Sequence, residues 1–273
     1  MKRIICNTAI IMSVYKNDKL NYLQEALNSL YNQTKKADIY IQEDGKLPQE
    51  IEAYLDKELK ESRITYLGKR DENLGLSTSL NELLKIVLPK YTYIVRMDAD
   101  DISVSTRIDK QVSFLESHPD IEAVGAWIEE FNMDTNERQV VRYGEYNEVL
   151  KQNLMKRNPL AHVTICFRNS FFDTISSYDT TKLNEDYDLW IRAFKDDVKL
   201  HCLQEVLVKV RTSNDFFARR KNIKRAKEVM FLKFDATKTF GFGIKGYLFA
   251  VAHFVLFLSP SILKSYLYKN MRN

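Results

Sequence analysis

Apolar and polar positions along the chain alternate between two periods. Thr8–Tyr15 (T-A-I-I-M-S-V-Y) is a short, nearly unbroken apolar run, the pattern of a strand buried on both faces. It runs into a turn where Asn17 or Asp18 can cap a helix. Leu20, Leu23, Leu27, Leu30 and Tyr31 then recur at helical spacing through Asn32. Ile39-Tyr40-Ile41 predicts a second strand, closed by Glu43-Asp44-Gly45, and Pro48 opens a polar helix to about Lys60. Ile64–Leu67 predicts a third strand. Asn73-Leu74-Gly75 reads as a turn, and Leu76, Leu80, Leu83, Leu84 and Val87 as the buried stripe of a helix that Pro89 stops. Tyr91–Met97 predicts a fourth strand and ends in Asp98, Asp100 and Asp101. Strands alternating with helices at this spacing argue an α/β fold with a doubly wound, mostly parallel sheet.

Further on, a helix is expected from about Ser105 to Glu116 and, after Pro119, a strand over Ile121–Phe131. The polar stretch to Tyr146 reads as a hairpin or loop. Glu148–Lys156 reads as a helix, and Leu160–Phe167 as a strand with His162 near its start. Asn184-Glu185-Asp186 precedes an amphipathic helix from Tyr187 to about Phe194, and Lys199–Cys202 and Val206–Arg211 read as two late strands.

Charge divides this picture in two. Residues 219–273 hold twelve Lys and Arg against two acids, so the net +4 of the whole leaves 1–218 at −6. The shift places a boundary near Ala218, between a catalytic body (1–218) and a basic, aromatic helical tail (219–273). Tyr247–Leu258 (Y-L-F-A-V-A-H-F-V-L-F-L) is apolar but shorter than the ~20 residues a bilayer span needs. Cationic flanks beside an aromatic apolar face suit a helix lying on an anionic membrane surface. The alternative is a terminal helix packed on the core. A basic tail also suits nucleic acid, but no reading head accompanies it and the acidic body opposes it, so no nucleic-acid partner is expected. Three cysteines (Cys6, Cys166, Cys202) without metal-ligand spacing, and no secretory leader pattern, fit a cytoplasmic protein without disulfides.

The chemistry concentrates at strand ends. Ser13-Val14-Tyr15, Glu43-Asp44-Gly45 and Asp98–Asp101 each finish a strand, and in a parallel sheet such ends share the ligand-binding edge. A nucleotide across that edge needs an acceptor for a base N–H (Asp44), backbone groups (Val14-Tyr15) and a cation for its diphosphate (Asp98/Asp100). The plain alternatives are turns and a solvated acidic cap. Asn184-Glu185-Asp186 is either a helix cap or the site of a general base. Neither G-x-G-x-x-G nor G-x-x-x-x-G-K-[ST] occurs, which removes support for dinucleotide and P-loop ATP binding.

Together these segments, across about residues 8–220, resemble family-2 glycosyltransferases of the GT-A fold, in particular bacterial enzymes of O-antigen and exopolysaccharide assembly. Met12-Ser13-Val14-Tyr15 resembles P-V-Y-N, with serine for the usual proline. Glu43-Asp44-Gly45 resembles D-D-G-S, and Glu72–Ser77 with Asn81 resembles E-N-x-G-x-S…N. Arg96-Met97-Asp98-Ala99-Asp100-Asp101 resembles the D-x-D segment, Asn158-Pro159 with His162 and Phe167-Arg168 resembles N-P-x-x-H…F-R, and Glu185–Trp190 resembles E-D-Y-x-L-W. The resemblance implies an inverting, metal-dependent transfer from a UDP-sugar (a hexose or N-acetylhexosamine) to a hydroxyl of a glycan acceptor, expected to be polyprenyl-diphosphate-linked, at the inner face of the cell membrane. It implies nucleotide-sugar contacts from Val14, Tyr15, Asp44, Asn73, Gly75, Ser77, Asn81, Arg96, Asp98, Arg219 and Arg220. It implies Mn²⁺ or Mg²⁺ on Asp98 and Asp100, with Asp186 as base and His162, Glu185 and Trp190 on the acceptor and sugar side. Related enzymes often supply a further metal-binding histidine after the E-D segment; here Thr212-Ser213-Asn214-Asp215 directly follows Val206–Arg211 without one, which leaves a water or a carboxylate as the third metal ligand. Competing readings are a nucleotidyltransferase of related fold, a haloacid-dehalogenase-like phosphatase and an inactive membrane-bound scaffold. The first lacks its Gly-rich basic loop, the second the residues expected after its aspartate, and the third does not explain Asp100 and Asp186 together.

Overall fold

The computed structural model describes residues 7–213 and 223–258. Arg219, Arg220 and the boundary at Ala218 lie outside them. The first half alternates as the sequence predicts: β1 (Thr8–Tyr15), α1 (Leu20–Tyr31), β2 (Asp38–Asp44), α2 (Gln49–Lys60), β3 (Tyr66–Gly68), α3 (Leu76–Val87) and β4 (Tyr93–Asp98). These four strands lie parallel in the order β3-β2-β1-β4. The chain winds outward from β1 to β3, then returns to the other side of β1. With right-handed crossovers, that reversal puts the helices on opposite faces and makes the β1–β4 border the switch point. Ile10, Ile11, Ile41, Ile94 and Val95 are buried there, as unbroken apolar runs require.

The second half completes the sheet with β5 (Ile102–Ser103), α4 (Arg107–Ser117), β6 (Ala123–Asn132), β7 (Arg138–Val141), α5 (Asn147–Asn153), β8 (Cys166–Arg168), α6 (Phe171–Ile175), α7 (Glu185–Lys195) and β9 (Leu200–Thr212). β8 inserts antiparallel between β4 and β6, β9 runs parallel to β6, and β7 forms the expected hairpin on β6. Two helices follow, α8 (Ile223–Phe240) and α9 (Gly243–Leu258).

Three expectations change. Asp18 does not cap α1; its carboxylate accepts the Tyr15 N–H at 2.9 Å and closes the turn after β1. Leu160–Phe167 is not one strand. A 3₁₀ turn at His162–Thr164, with the Thr164 N–H on the Ala161 carbonyl, leaves only Cys166–Arg168 extended. The two late strands are one, because register shifts opposite Ala126–Ile128 absorb Gln204 and Glu205 as a bulge and pairing continues.

The buried polar side chains of α4 brace the centre. Arg107, fully buried, donates to the Arg96 carbonyl at 2.9 Å and to Gln111 at 3.0 Å. Gln111 donates in turn to the carbonyls of Val124 and Thr164. Burial holds the Arg107 guanidinium down at about 9. These bonds fix the end of β4 against β6 and the turn carrying His162.

Candidate active site

Strand register brings the predicted strand ends together. Tyr15 stands opposite Asp44 and Ser13 opposite Asp98. At the β2 end, Asp44 is buried and its carboxylate accepts the backbone N–H groups of Leu74, at 2.8 Å, and Gly75. Gly75 holds φ +90°, a left-handed conformation that leaves its N–H turned toward Asp44. Asn73 donates its side-chain amide to the Asp44 carbonyl at 3.1 Å. Arg70 completes the cluster, bridging Asp44, Glu82 and Ser79. It stands in no quoted motif, and the sequence offered only its nearness to Asn73 as a signal. Val14 is buried beneath the turn, Tyr15 is partly exposed and Ser77 is buried in the first turn of α3. The Asn81 amide is engaged in both directions by the backbone of Tyr178, at 2.8 and 2.9 Å, and so anchors the loop before α7.

At the β4 end, the buried Arg96 forks onto both carboxylate oxygens of Asp98. Asp100 carries no such fork. Burial and the neighbouring Asp98 push its carboxyl up to about 6. Asp18 belongs to the same acidic group: burial, with Asp100 and Asp98 nearby, pushes it up to about 7. Asp101 turns inward and accepts the Arg211 N–H at 2.8 Å, and the Arg211 side chain donates to the Asp100 carbonyl at 2.9 Å. Arg211 lies over the Tyr22 ring, 4.1 Å from its centroid, and ties β9 to the acidic turn. Among the described residues no cluster of three His, Cys, Asp or Glu is set to hold a metal.

Across the cleft, Asp186 sits in the first turn of α7. One oxygen accepts the side-chain amide of Asn158 and the other its own neighbour's N–H, from Tyr187, at 2.7 Å. Glu185 lines the same space; burial, then Asp186, raises its carboxyl to about 7. The His162 ring is buried, bonded to the Tyr178 hydroxyl at 2.8 Å, and held well below its ordinary value by burial and by Arg96, so it is neutral. Trp190 is fully buried against Phe167 and His162 and does not line the cleft.

The helix before the chain end also builds the site, which the sequence did not reveal. From α8, Glu228 accepts the N–H groups of Leu183 and Asn184 at 2.9 and 2.8 Å, and the Asn184 amide at 2.7 Å. These bonds fix the entry to α7. Lys233, buried, donates to the carbonyls of Met155 and Lys156, at 3.2 and 2.8 Å, just before Asn158.

Residues 9–175 match the family described as glycosyl transferase family 2. The chain belongs to this family. The amylovoran biosynthesis glycosyltransferase AmsE of Erwinia amylovora is 31% identical over 268 residues, spanning 97% of this chain and 98% of that protein. The Escherichia coli UDP-Gal:alpha-D-GlcNAc-diphosphoundecaprenol beta-1,3-galactosyltransferase is 29% identical, over 80% of this chain and 78% of its own. Among solved structures, the mannosyltransferase PcManGT from Pyrobaculum calidifontis, in complex with GDP-Man and Mn²⁺, superposes with a TM-score of 0.65 at 13% identity, over 97% of this chain and 79% of that one. That likeness shows the GT-A fold. This family-2 glycosyltransferase thus carries Asp44, Asp98 and Asp100 inside the matched span, whereas α7 and α8 lie beyond it.

Proposed function

We propose that the enzyme moves a sugar, with inversion, from a UDP-sugar to a hydroxyl of a lipid-linked glycan during polysaccharide assembly. The observation that carries this reading is that Asp98 and Asp186, from separate elements, line one cleft. The donor diphosphate lies at the β1–β4 border and the base faces it from α7. Asp44, with the Leu74 and Gly75 N–H groups already on its carboxylate, sets the turn around the uracil. Its relatives support the donor and acceptor classes: one is named for UDP-Gal and a diphosphoundecaprenol acceptor.

Asp18 and Asp100, pushed up first by burial and then by their acidic neighbours, form with Asp98 a hard oxygen set suited to Mg²⁺ or Mn²⁺. Such ions are commonly held by one or two carboxylates, with substrate phosphates completing the shell. Asp100, with Asp98, would hold the ion, and Asp18 is the nearby carboxylate that the missing histidine left open. When bound, the ion neutralises charge on the departing diphosphate. Asp186 accepts the proton of the attacking hydroxyl. Asn158 keeps that carboxylate aimed into the cleft.

The enzyme is placed at a membrane surface by α9, whose Ile244, Leu248, Val251 and Val255 are exposed along one side. Among the described residues no helix is long and apolar enough to cross a membrane, and an exposed apolar helix face supports peripheral attachment. UDP release from a panel of UDP-sugars, with Mn²⁺ and a lipid-linked acceptor, tests the reading; absence of acceptor-dependent release across the panel would reject it.

A further inference from the structure

The cleft is too large and too mixed in character for a nucleotide-sugar alone. It encloses about 1310 Å³, beyond the roughly 300–1,000 Å³ of an ordinary small-molecule pocket. Val14, Tyr15 and Asp44 do not line it, so its bulk lies on the acceptor side. Its α8–α9 wall is mostly apolar, with Val229 and Met230 from α8 and Phe249, Ala250 and Phe254 from α9, and His253 among them. Cations share the lining. Arg142, Lys156, Arg157 and Arg225 all line the cleft, alongside the carboxylates Glu130, Glu185, Asp98, Asp101 and Asp186.

Contacts join the elements that carry these groups. Asn158 touches Asp186, and Lys156 and Arg157 directly precede Asn158. Lys233 of α8 bonds the carbonyls of Met155 and Lys156. One cleft therefore brings together the Asp186 carboxylate, guanidinium and ammonium groups and an apolar wall. Arg142 is exposed and lies over the Trp127 ring, 5.3 Å from its centroid, while lining the cleft. Helix α9 is apolar on both the cleft side and the outer side. That pattern belongs to a helix in contact with hydrocarbon on more than one face.

We infer that the α8–α9 wall and the Arg142–Lys156–Arg157 group form a subsite for the prenyl diphosphate part of the acceptor: diphosphate on the cations, first prenyl units along Phe249 and Phe254. This rests on the reading that the acceptor is lipid-linked and adds where its lipid end is held. The three kinds of lining match the three parts of such a molecule: a carboxylate for the reacting hydroxyl, cations for the anion and an apolar wall for the chain. Guanidinium and ammonium groups are the usual partners of phosphate oxygens. The apolar wall gives the chain an exit toward the exposed face of α9.

Binding of farnesyl diphosphate, inorganic diphosphate and farnesol to the full-length protein, with and without saturating UDP, tests the subsite apart from transfer. Farnesyl diphosphate should bind at least about ten-fold tighter than either fragment, since two aromatic contacts add to the charge, and UDP should not displace it. Phe249→Ser with Phe254→Ser should bring farnesyl diphosphate down to the level of inorganic diphosphate, whose unchanged binding shows that the fold is intact. Arg142→Gln, at an exposed position, should instead reduce both diphosphates and spare farnesol. Farnesyl diphosphate binding no tighter than inorganic diphosphate, or displaced by UDP, would overturn the subsite. So would binding that appears only when residues 259–273 are removed, which would give the groove to the chain's own C-terminus. A protein that binds farnesyl diphosphate as described, yet transfers no sugar to any lipid-linked glycan, would remove the functional reading and leave the subsite standing.

Discussion

The side-chain nitrogen of Asn158 lies 2.5 Å from a carboxylate oxygen of Asp186, joining the loop after α5 to the first turn of α7. This bond holds the carboxylate proposed as the base. Asp186→Asn keeps shape and capping but cannot accept a proton. Transfer should fall by about 10²–10⁴-fold while UDP-sugar binding survives. Asn158→Ala should lower kcat more than it raises the donor KM. Equal transfer by Asp186→Asn and wild type would reduce Asp186 to a helix cap.

Metal removal should silence the enzyme. Asp100 lacks the guanidinium fork that occupies Asp98 and sits in a group of mutually repelling carboxylates. Asp100→Ala should abolish Mn²⁺-stimulated transfer without lowering the melting temperature. Full turnover in excess EDTA would end the metal role.

The Arg70–Asp44 pair is the buried hinge of the donor turn, with side chains 13% and 6% exposed. Arg70→Ala leaves the Asp44 carboxylate without its cation, and losing one partner of a buried pair costs roughly 3–5 kcal/mol. Urea unfolding should show that loss. Asp44→Asn should mainly raise the KM for the UDP-sugar. A donor KM left unchanged would remove Asp44 from the nucleotide site.

Glu185 makes stability depend on pH. Its ordinary value is 4.5 and burial beside Asp186 raises it to about 7. Below 4.5 folded and unfolded chains both hold the proton; between there and about 7 only the folded chain does, so stability drains away as pH rises through that window. Glu185→Gln should match wild type near pH 4.5 and exceed it above pH 7 by on the order of 1–3 kcal/mol. Urea titrations at the two pH values check it, and a constant difference across the window would refute it.

Membrane attachment should follow the outer face of α9. Full-length protein should float with anionic vesicles at low salt and lose part of that binding at high salt. Leu248→Gln with Val251→Gln and Val255→Gln should weaken flotation while leaving the cleft wall in place. Truncation after Gly243 is a poorer test, because it also removes Phe249 and Phe254 from the cleft.

The first half of the fold was readable because each element stated its own period. Ile10, Ile41 and Val95 stand in apolar runs, and Leu80, Leu83 and Leu84 in a helical stripe, so local pattern and tertiary burial agree. The donor-side carboxylates were readable for the same reason, since each ends a run. What stayed hidden were groups defined by distant partners. Arg107 and Gln111 look like ordinary surface residues of a helix until β6 and the His162 turn close over them. Arg211 looks like the polar end of a strand until it meets the Asp100–Asp101 turn. The bulge at Gln204-Glu205 broke a two-residue period that pairing later restored. The apolar stretch of α9 was visible, but not that one side of it faces the cleft.

The carboxylate of Glu228 has a consequence for recombination between relatives. The family match ends at residue 175, so the C-terminal hairpin has the outward look of an interchangeable cassette. It is not one, because Glu228 receives two backbone donors and one side-chain donor from Leu183 and Asn184, at the threshold of the helix that bears Asp186. A chimera whose grafted hairpin lacks an acidic residue at that place would leave those donors stranded and Asp186 loosely mounted, however well the new hairpin packed elsewhere. Swaps that carry residues 183–258 as one block keep donor and acceptor together.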